Sequence, residues 1–243
     1  MLIRLLKKSL KPLLSKPGIA KRLCKLLLRV DNTVEEVVNE LVIYAEENVH
    51  PKHRLMNYHQ FFIDHVSPED RVLDVGCGYG SVAQDVAKKA KSVWGIDLNE
   101  KNIKLAKARY QKDNLTFIHG DALVDLPDKE FDVAILSNIL EHIENRIPFL
   151  KSIMRLAPKL LIRVPMINRD WKVLYKKELG LDYRLDKTHY IEYTEEDLIE
   201  ELTAAGLNVK IHKILFGEFW VLTEPLPVRV SKNEILEELN LRI

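Results

Sequence analysis

The chain has 243 residues, 37 Lys or Arg against 36 Asp or Glu, and two cysteines. Such a length suits one α/β domain with added elements, two cysteines exclude a disulfide scaffold and point to a reducing compartment, and no stretch approaches the roughly 20 apolar residues of a membrane-spanning helix. The net charge of +1 hides an asymmetry: residues 1–30 carry nine of the basic side chains and no acid precedes Asp31, so 31–243 holds 28 basic against 36 acidic residues, a balance that argues against a nucleic-acid backbone as the main substrate.

The basic arm reads as two short amphipathic helices. Leu2, Leu6, Leu10 and Leu13 recur near helical spacing with Lys7, Lys8 and Lys11 between them. Pro12 and Pro17-Gly18 interrupt the pattern, which Ile19, Leu23, Leu26, Leu27 and Val30 resume. Lysines among the apolar residues exclude a secretory signal. Two readings stay open: a peripheral contact with the inner face of a membrane through residues 1–30, or a cap packed on the chain's own domain or a second subunit. The expected location is the cytoplasm.

Asp31-Asn32-Thr33 is predicted to cap a third helix ending near Asn48, and a fourth runs from Pro51 to His65. Strands follow at Arg71–Val75, Ser92–Asp97, Leu115–His119 and Phe131–Leu136, with helices at 81–90 and 99–111 between the first three. This alternation predicts βαβ units on a parallel sheet. A helix over 145–156 and a strand at Leu160–Pro165 come next, then an irregular, aromatic-rich stretch, 168–190. Thr194 caps a helix that Gly206 ends, and two strands separated by Gly217 form a hairpin.

The segment Asp74-Val-Gly76-Cys77-Gly78-Tyr-Gly80 leaves an apolar strand and opens a helix, so a ligand can approach its backbone without meeting a Cβ. A dinucleotide fingerprint needs a third glycine where Ser81 stands, and Asp74 would repel a pyrophosphate. A carboxylate there suits a ligand bearing an ammonium and a sulfonium, which is S-adenosylmethionine. Asp97 ends the second strand and can accept ribose hydroxyls, and Asp121, after the third, can take the adenine amino group. Leu98 and Ala122 flank these acids. Three acids at the ends of three successive strands line the edge where open α/β sheets bind ligands.

With these motifs in this order, and Ser137-Asn-Ile-Leu-Glu-His-Ile after the fourth strand, the chain resembles the class I S-adenosylmethionine-dependent methyltransferases, in particular the type-11 and ubiquinone-biosynthesis O-methyltransferase-like group. The resemblance implies a Rossmann-like, mostly parallel seven-stranded sheet with an antiparallel last strand over 49–243, behind a basic amphipathic helical extension, 1–48. Ala157-Pro158-Lys159 departs from the glycine pair of many members. The resemblance also adds Arg54 and Ser137 to the cofactor shell.

Methyl transfer to oxygen or nitrogen needs a base and an aligned nucleophile. His142 and His189, with Glu141, are the catalytic candidates. Some relatives hold a divalent metal on Glu-x-x-Glu-His plus a later histidine; here Glu141, His142 and His189 match, while Asn138 replaces the first glutamate. His53 and His59 read as rim residues, His50 and His65 as structural, and Trp171, Tyr175, Tyr183 and Tyr190 as a lid over the acceptor. The acceptor is expected to be a small molecule, glycan or lipid-linked compound methylated on oxygen. The alternative is a catalytically silent subunit that binds a partner through the arm.

Overall fold

A computed structural model describes residues 11–12, 14–46, 50–126 and 130–227. The first part of the arm, including Leu2, Leu6, Leu10 and Leu13, lies outside the described residues. Among the described residues no helix is long and apolar enough to cross a membrane.

Instead of two helices meeting at Asp31, one 29-residue helix, α1, runs from Pro17 to Ala45. Pro17 starts it, where the missing N–H costs nothing. Asp31, expected as a cap, sits mid-helix because its carboxylate is engaged elsewhere, by Lys172 at 3.1 Å and Lys176 at 3.0 Å. The Thr33 hydroxyl turns back to the Arg29 carbonyl. The predicted helix over Pro51–His65 is two, α2 (Lys52–Met56) and α3 (Tyr58–Asp64), broken at Asn57, whose φ is +49°.

The first three strands fall as expected: β1 (Arg71–Val75), β2 (Ser92–Asp97) and β3 (Leu115–His119). Between them lie α4 (Ser81–Val86) and α5 (Glu100–Arg109). β4 (Val133–Ser137) begins two residues later than predicted, and α6 (Arg146–Leu156) leads to β5 (Lys159–Pro165). The stretch 168–190 is not wholly irregular, since it contains α7 (Trp171–Glu178), capped by the Asp170 side chain on the Lys172 N–H. α8 (Glu195–Ala205) has the reciprocal Thr194–Asp197 capping box and ends at Gly206, φ +95°.

The sheet order is β3-β2-β1-β4-β5-β7-β6, with β6 (Leu207–Leu215) and β7 (Glu218–Pro225) closing it. The first five strands are parallel, and β7 runs antiparallel to both β5 and β6. Phe216 and Gly217 alone turn the chain, at φ +55° and +72°, the pair of positive angles a two-residue hairpin demands. Both faces are covered: α6 and α8 pack Leu150, Ile153, Leu198 and Leu202 on one, and α3 and α4 pack Phe61, Phe62, Ala83 and Val86 on the other. Central strands buried on both sides explain the unbroken apolar runs in their sequence.

Candidate active site

The parallel register brings Val75, Asp97, His119 and Ser137 to one edge of the sheet. The chain order reverses between β1 and β4, the place where an open α/β sheet forms its ligand crevice. The glycine loop leaves β1 at that point. Gly76, Gly78 and Gly80 all hold positive φ, and a Cβ on Gly76 would lie 2.2 Å from Ile139 Cδ1. A Cβ on Gly78 would meet nothing within 4 Å, so the loop backbone there is open to an approaching ligand. Cys77 is buried beneath the loop, its Sγ 2.8 Å from where a Gly95 Cβ would stand.

Asp74 is 2% exposed and its Oδ2 has no hydrogen-bond partner. Burial, reinforced by the charge of Asp97, pushes its carboxyl up to about 7 against a hydrogen bond from the Ala83 backbone. A buried, unpartnered carboxylate oxygen is costly unless a ligand completes it. A cationic group of S-adenosylmethionine fits that need.

Asp97 is the clamp of the loop. Its Oδ2 accepts the Gly78 N–H at 2.9 Å, and its Oδ1 accepts Asn99 N–H at 2.8 Å and the Asn102 amide at 3.2 Å. Oδ2 keeps a free lone pair, so one hydroxyl fits without rearrangement, whereas the expected capture of two requires Asn102 to let go. Leu98 stands 75% exposed beside it, and Ala122 is buried. Asp121 is exposed; its Oδ1 holds the Leu123 N–H and its own N–H goes to Asp125. Arg54 is not brought to the loop: it pairs with Glu46 at 3.4 Å, its side chain 68% exposed.

After β4 the chain turns through Asn138, at φ +57°, and a 3-10 turn, Leu140–His142. Here Glu141, His142 and His189 meet, with one ligand atom from each within 4.8 Å of the others. Glu141 is fully buried with both carboxylate oxygens unpartnered, and Asn138 Oδ1 is unpartnered too. Burial pushes the Glu141 carboxyl up to about 7. The His142 and His189 rings pack edge to face, centroids 4.5 Å apart. Burial, then the neighbouring His189, lowers the His142 pKa, so its ring is neutral at pH 7.

The tautomer of His142 follows from its neighbours. Thr188 Oγ1 lies 2.8 Å from Asp186 Oδ1 and 2.9 Å from His142 Nδ1. Hydrogen bonds from the Thr188 backbone and hydroxyl hold the Asp186 carboxyl below its usual range, so the carboxylate takes the hydroxyl proton. Nδ1 of His142 must then donate to Thr188, and Nε2 keeps a free lone pair. His189 is held likewise: its Nδ1 lies 2.9 Å from Glu192 Oε1, a buried carboxylate that also pairs with Arg169.

Sequence reasoning singled out His189 from Asp186-Lys-Thr-His and missed its two neighbours, although acid-x-Thr-His was legible there. It missed the buried Arg163–Glu218 pair altogether. Arg163 Nη2 lies 2.6 Å from Glu218 Oε1, its Nη1 reaches Ser137 Oγ at 3.1 Å, and the guanidinium stacks 3.7 Å from the Tyr58 ring centroid. No local pattern announces a pair 55 residues apart. Tyr58 in turn bonds His53 at 2.6 Å, and His53 contacts His59, which is tied to Asp85. The expected lid is divided. Tyr190 adjoins the site through its N–H to the Glu141 carbonyl at 2.7 Å, but Trp171 and Tyr175 lie on α7, where Tyr175 packs against the Leu28 cluster.

A family model described as a methyltransferase domain matches residues 73–159. The chain is similar to a ubiquinone biosynthesis O-methyltransferase of Caulobacter sp. strain K31, 30% identical over 173 residues, 67% of each chain. A second relative of that name, from Bradyrhizobium diazoefficiens, is 31% identical over 118 residues, about half of either chain (47%). Among solved structures, the fold resembles a magnesium protoporphyrin IX methyltransferase of Synechocystis PCC 6803 with bound SAH, at a TM-score of 0.59 and 19% identity, covering 75% of this chain and 87% of that one. A glycine loop closed by Asp97, a buried Asp74 whose Oδ2 lacks a partner, and this similarity agree: the chain belongs to the class I S-adenosylmethionine-dependent methyltransferases.

Proposed function

We propose that this enzyme methylates a hydroxyl oxygen of a small-molecule, glycan or lipid-linked acceptor, with His142 as the general base. The carrying observation is the Asp186–Thr188–His142 chain, which fixes the imidazole with Nε2 free at the edge of the sheet that carries the glycine loop. S-adenosylmethionine, when bound, supplies an electrophilic methyl group. Asp74 faces its positive charge, and Asp97 holds both the loop and a sugar hydroxyl. Nε2 of His142 takes the acceptor proton as the new oxygen–carbon bond forms and the methyl–sulfur bond breaks. The curated relatives act on oxygen by name, which supports the choice of atom.

A cavity of about 740 Å³ opens beside this chain, lined by Arg169, Leu185, Asp186 and Lys187 on one side and by Val34 and Val38 of α1 on another. Asp186 belongs to both, which supports this cavity as the acceptor's approach. Incubation with methyl-labelled cofactor and a panel of phenols, sugars and lipid-linked hydroxyl compounds tests the proposal. The expected product is an O-methyl ether whose formation stops in His142→Ala; unchanged turnover by that variant removes the base assignment.

Buried, unpartnered Glu141 favours a second reading. Glu141, His142 and His189 would hold a divalent cation, with each histidine oriented through Nδ1 as metal ligands usually are. Such an ion would supply a Lewis acid that lowers the acceptor hydroxyl pKa. Chelator-resistant turnover excludes it, and loss restored by added metal supports it. The silent-subunit alternative, which the basic arm and the incomplete metal pattern motivated, draws no support from the relatives, which are named as O-methyltransferases.

A further inference from the structure

Helix α1 touches its own domain with one side only. Leu28 is its single buried side chain, packed against Leu179 and Leu181, while Asp31 and Asn32 on the same side reach Lys176. Away from Leu28, apolar residues recur in alternating steps of four and three from Leu23 to Tyr44, 37–77% exposed, Val34 among them also bordering the cavity. A period of 3.5 over three heptads is the seam of a left-handed coiled coil, not of a helix lying flat on a globular core. The seam is also a palindrome about residue 32: Leu23 mirrors Leu41, Leu27 mirrors Val37, and Val30 mirrors Val34.

The charges share this symmetry with opposite sign. Residues 17–30 carry Lys21, Arg22, Lys25 and Arg29 and no acid; residues 31–45 carry Asp31, Glu35, Glu36 and Glu40 and no base. An anionic lipid surface would repel the second half while the seam runs on through it. A parallel pair of helices would set like charges side by side. An antiparallel pair sets each basic half against an acidic half, opposes the helix dipoles, and places every mirrored apolar pair in one layer.

We propose that α1 of one chain packs antiparallel against α1 of a second copy, with a two-fold axis near Asn32. The contact is self-complementary and closes as a dimer. The seam from Leu23 to Tyr44 runs for about 32 Å at 1.5 Å per residue. The two copies thereby brace the helix that lines the cavity beside Asp186.

Sedimentation of the full chain from about 1 to about 100 µM, the range in which modest interfaces associate, should show a mass rising to twice 28.2 kDa. The double variant Val30→Lys/Val34→Lys should stay monomeric with an unchanged circular dichroism spectrum, since both side chains are exposed. Orientation is read by disulfide trapping in a Cys24→Ser background: Val30→Cys mixed with Val34→Cys should cross-link, and Val30→Cys alone should not. Cross-linking by Val30→Cys alone overturns the antiparallel arrangement. A wild-type chain monomeric at every concentration overturns the proposal, and if that monomer pellets with anionic vesicles in a salt-sensitive manner the seam is a membrane face instead.

Discussion

Lowering the pH from 7 to 5.5 should weaken S-adenosylmethionine binding by about fifteenfold, through Asp74. Its carboxyl is pushed up to about 7 in the free protein. About half of the molecules then carry the charged form at pH 7 and about 3% at pH 5.5, a ratio worth roughly 1–2 kcal/mol. The cofactor's α-amino group stays protonated across this window, because such groups titrate near 7.7–8.0, so the change belongs to the protein. Calorimetry in buffers of different ionisation enthalpy should record close to one proton released per cofactor bound at pH 5.5 and about half a proton at pH 7. The stability of the free protein runs the other way. A carboxyl raised from 3.8 favours the folded state fully below about pH 4, and that contribution, on the order of 4 kcal/mol, is lost as the pH rises through 7. Asp74→Asn should flatten both dependences. Wild-type affinity that stays level between pH 5.5 and 7, or a variant that keeps the slope, refutes the pairing of Asp74 with the cofactor.

His142→Ala should lower kcat by about 10²–10⁴ while the cofactor Kd, measured by calorimetry, holds. Thr188→Val should cost less, and its loss should appear in kcat rather than KM, because the imidazole keeps its place but loses its tautomeric preference. Gly76→Ala should abolish cofactor binding in equilibrium dialysis, since its φ is +65° and the new Cβ would meet Ile139. Glu218→Ala leaves Arg163 charged and buried without its partner; the denaturant midpoint should fall by the equivalent of about 3–5 kcal/mol, and unchanged stability would show that Arg163 finds another partner.

Periodicity and turn chemistry made most of the fold legible. The strands Arg71–Val75, Ser92–Asp97 and Leu115–His119 follow from short apolar runs between helical segments, and by local stereochemistry Thr194 and Gly206 mark the start and stop of α8 and Gly217 the hairpin turn. Helix α1 was misread because Asp31-Asn32-Thr33 has the composition of a cap. Its carboxylate is spent on Lys172 and Lys176, about 140 residues away, a competition that no local window contains. α7 was missed for a related reason: aromatic residues at 171 and 175 carry a weak helical signal that Asp170 and packing on the Leu28 cluster complete.

The site divides along the same line. Asp74, the three glycines and Asp97 are set by the chain itself, because a strand-to-helix turn that admits a ligand needs those residue types within a few positions. By itself the sequence determined the cofactor, and it pointed to the carboxyl edge of the sheet as the place expected to hold it. Only the tertiary structure decided which nitrogen of His142 is free, since that depends on Asp186 and Thr188 brought from 46 residues away, and only burial decided that Asp74 and Glu141 titrate near neutral pH. Local sequence specifies turns and strands; a proton's position and a carboxyl's charge are set by neighbours in space and by the exclusion of water.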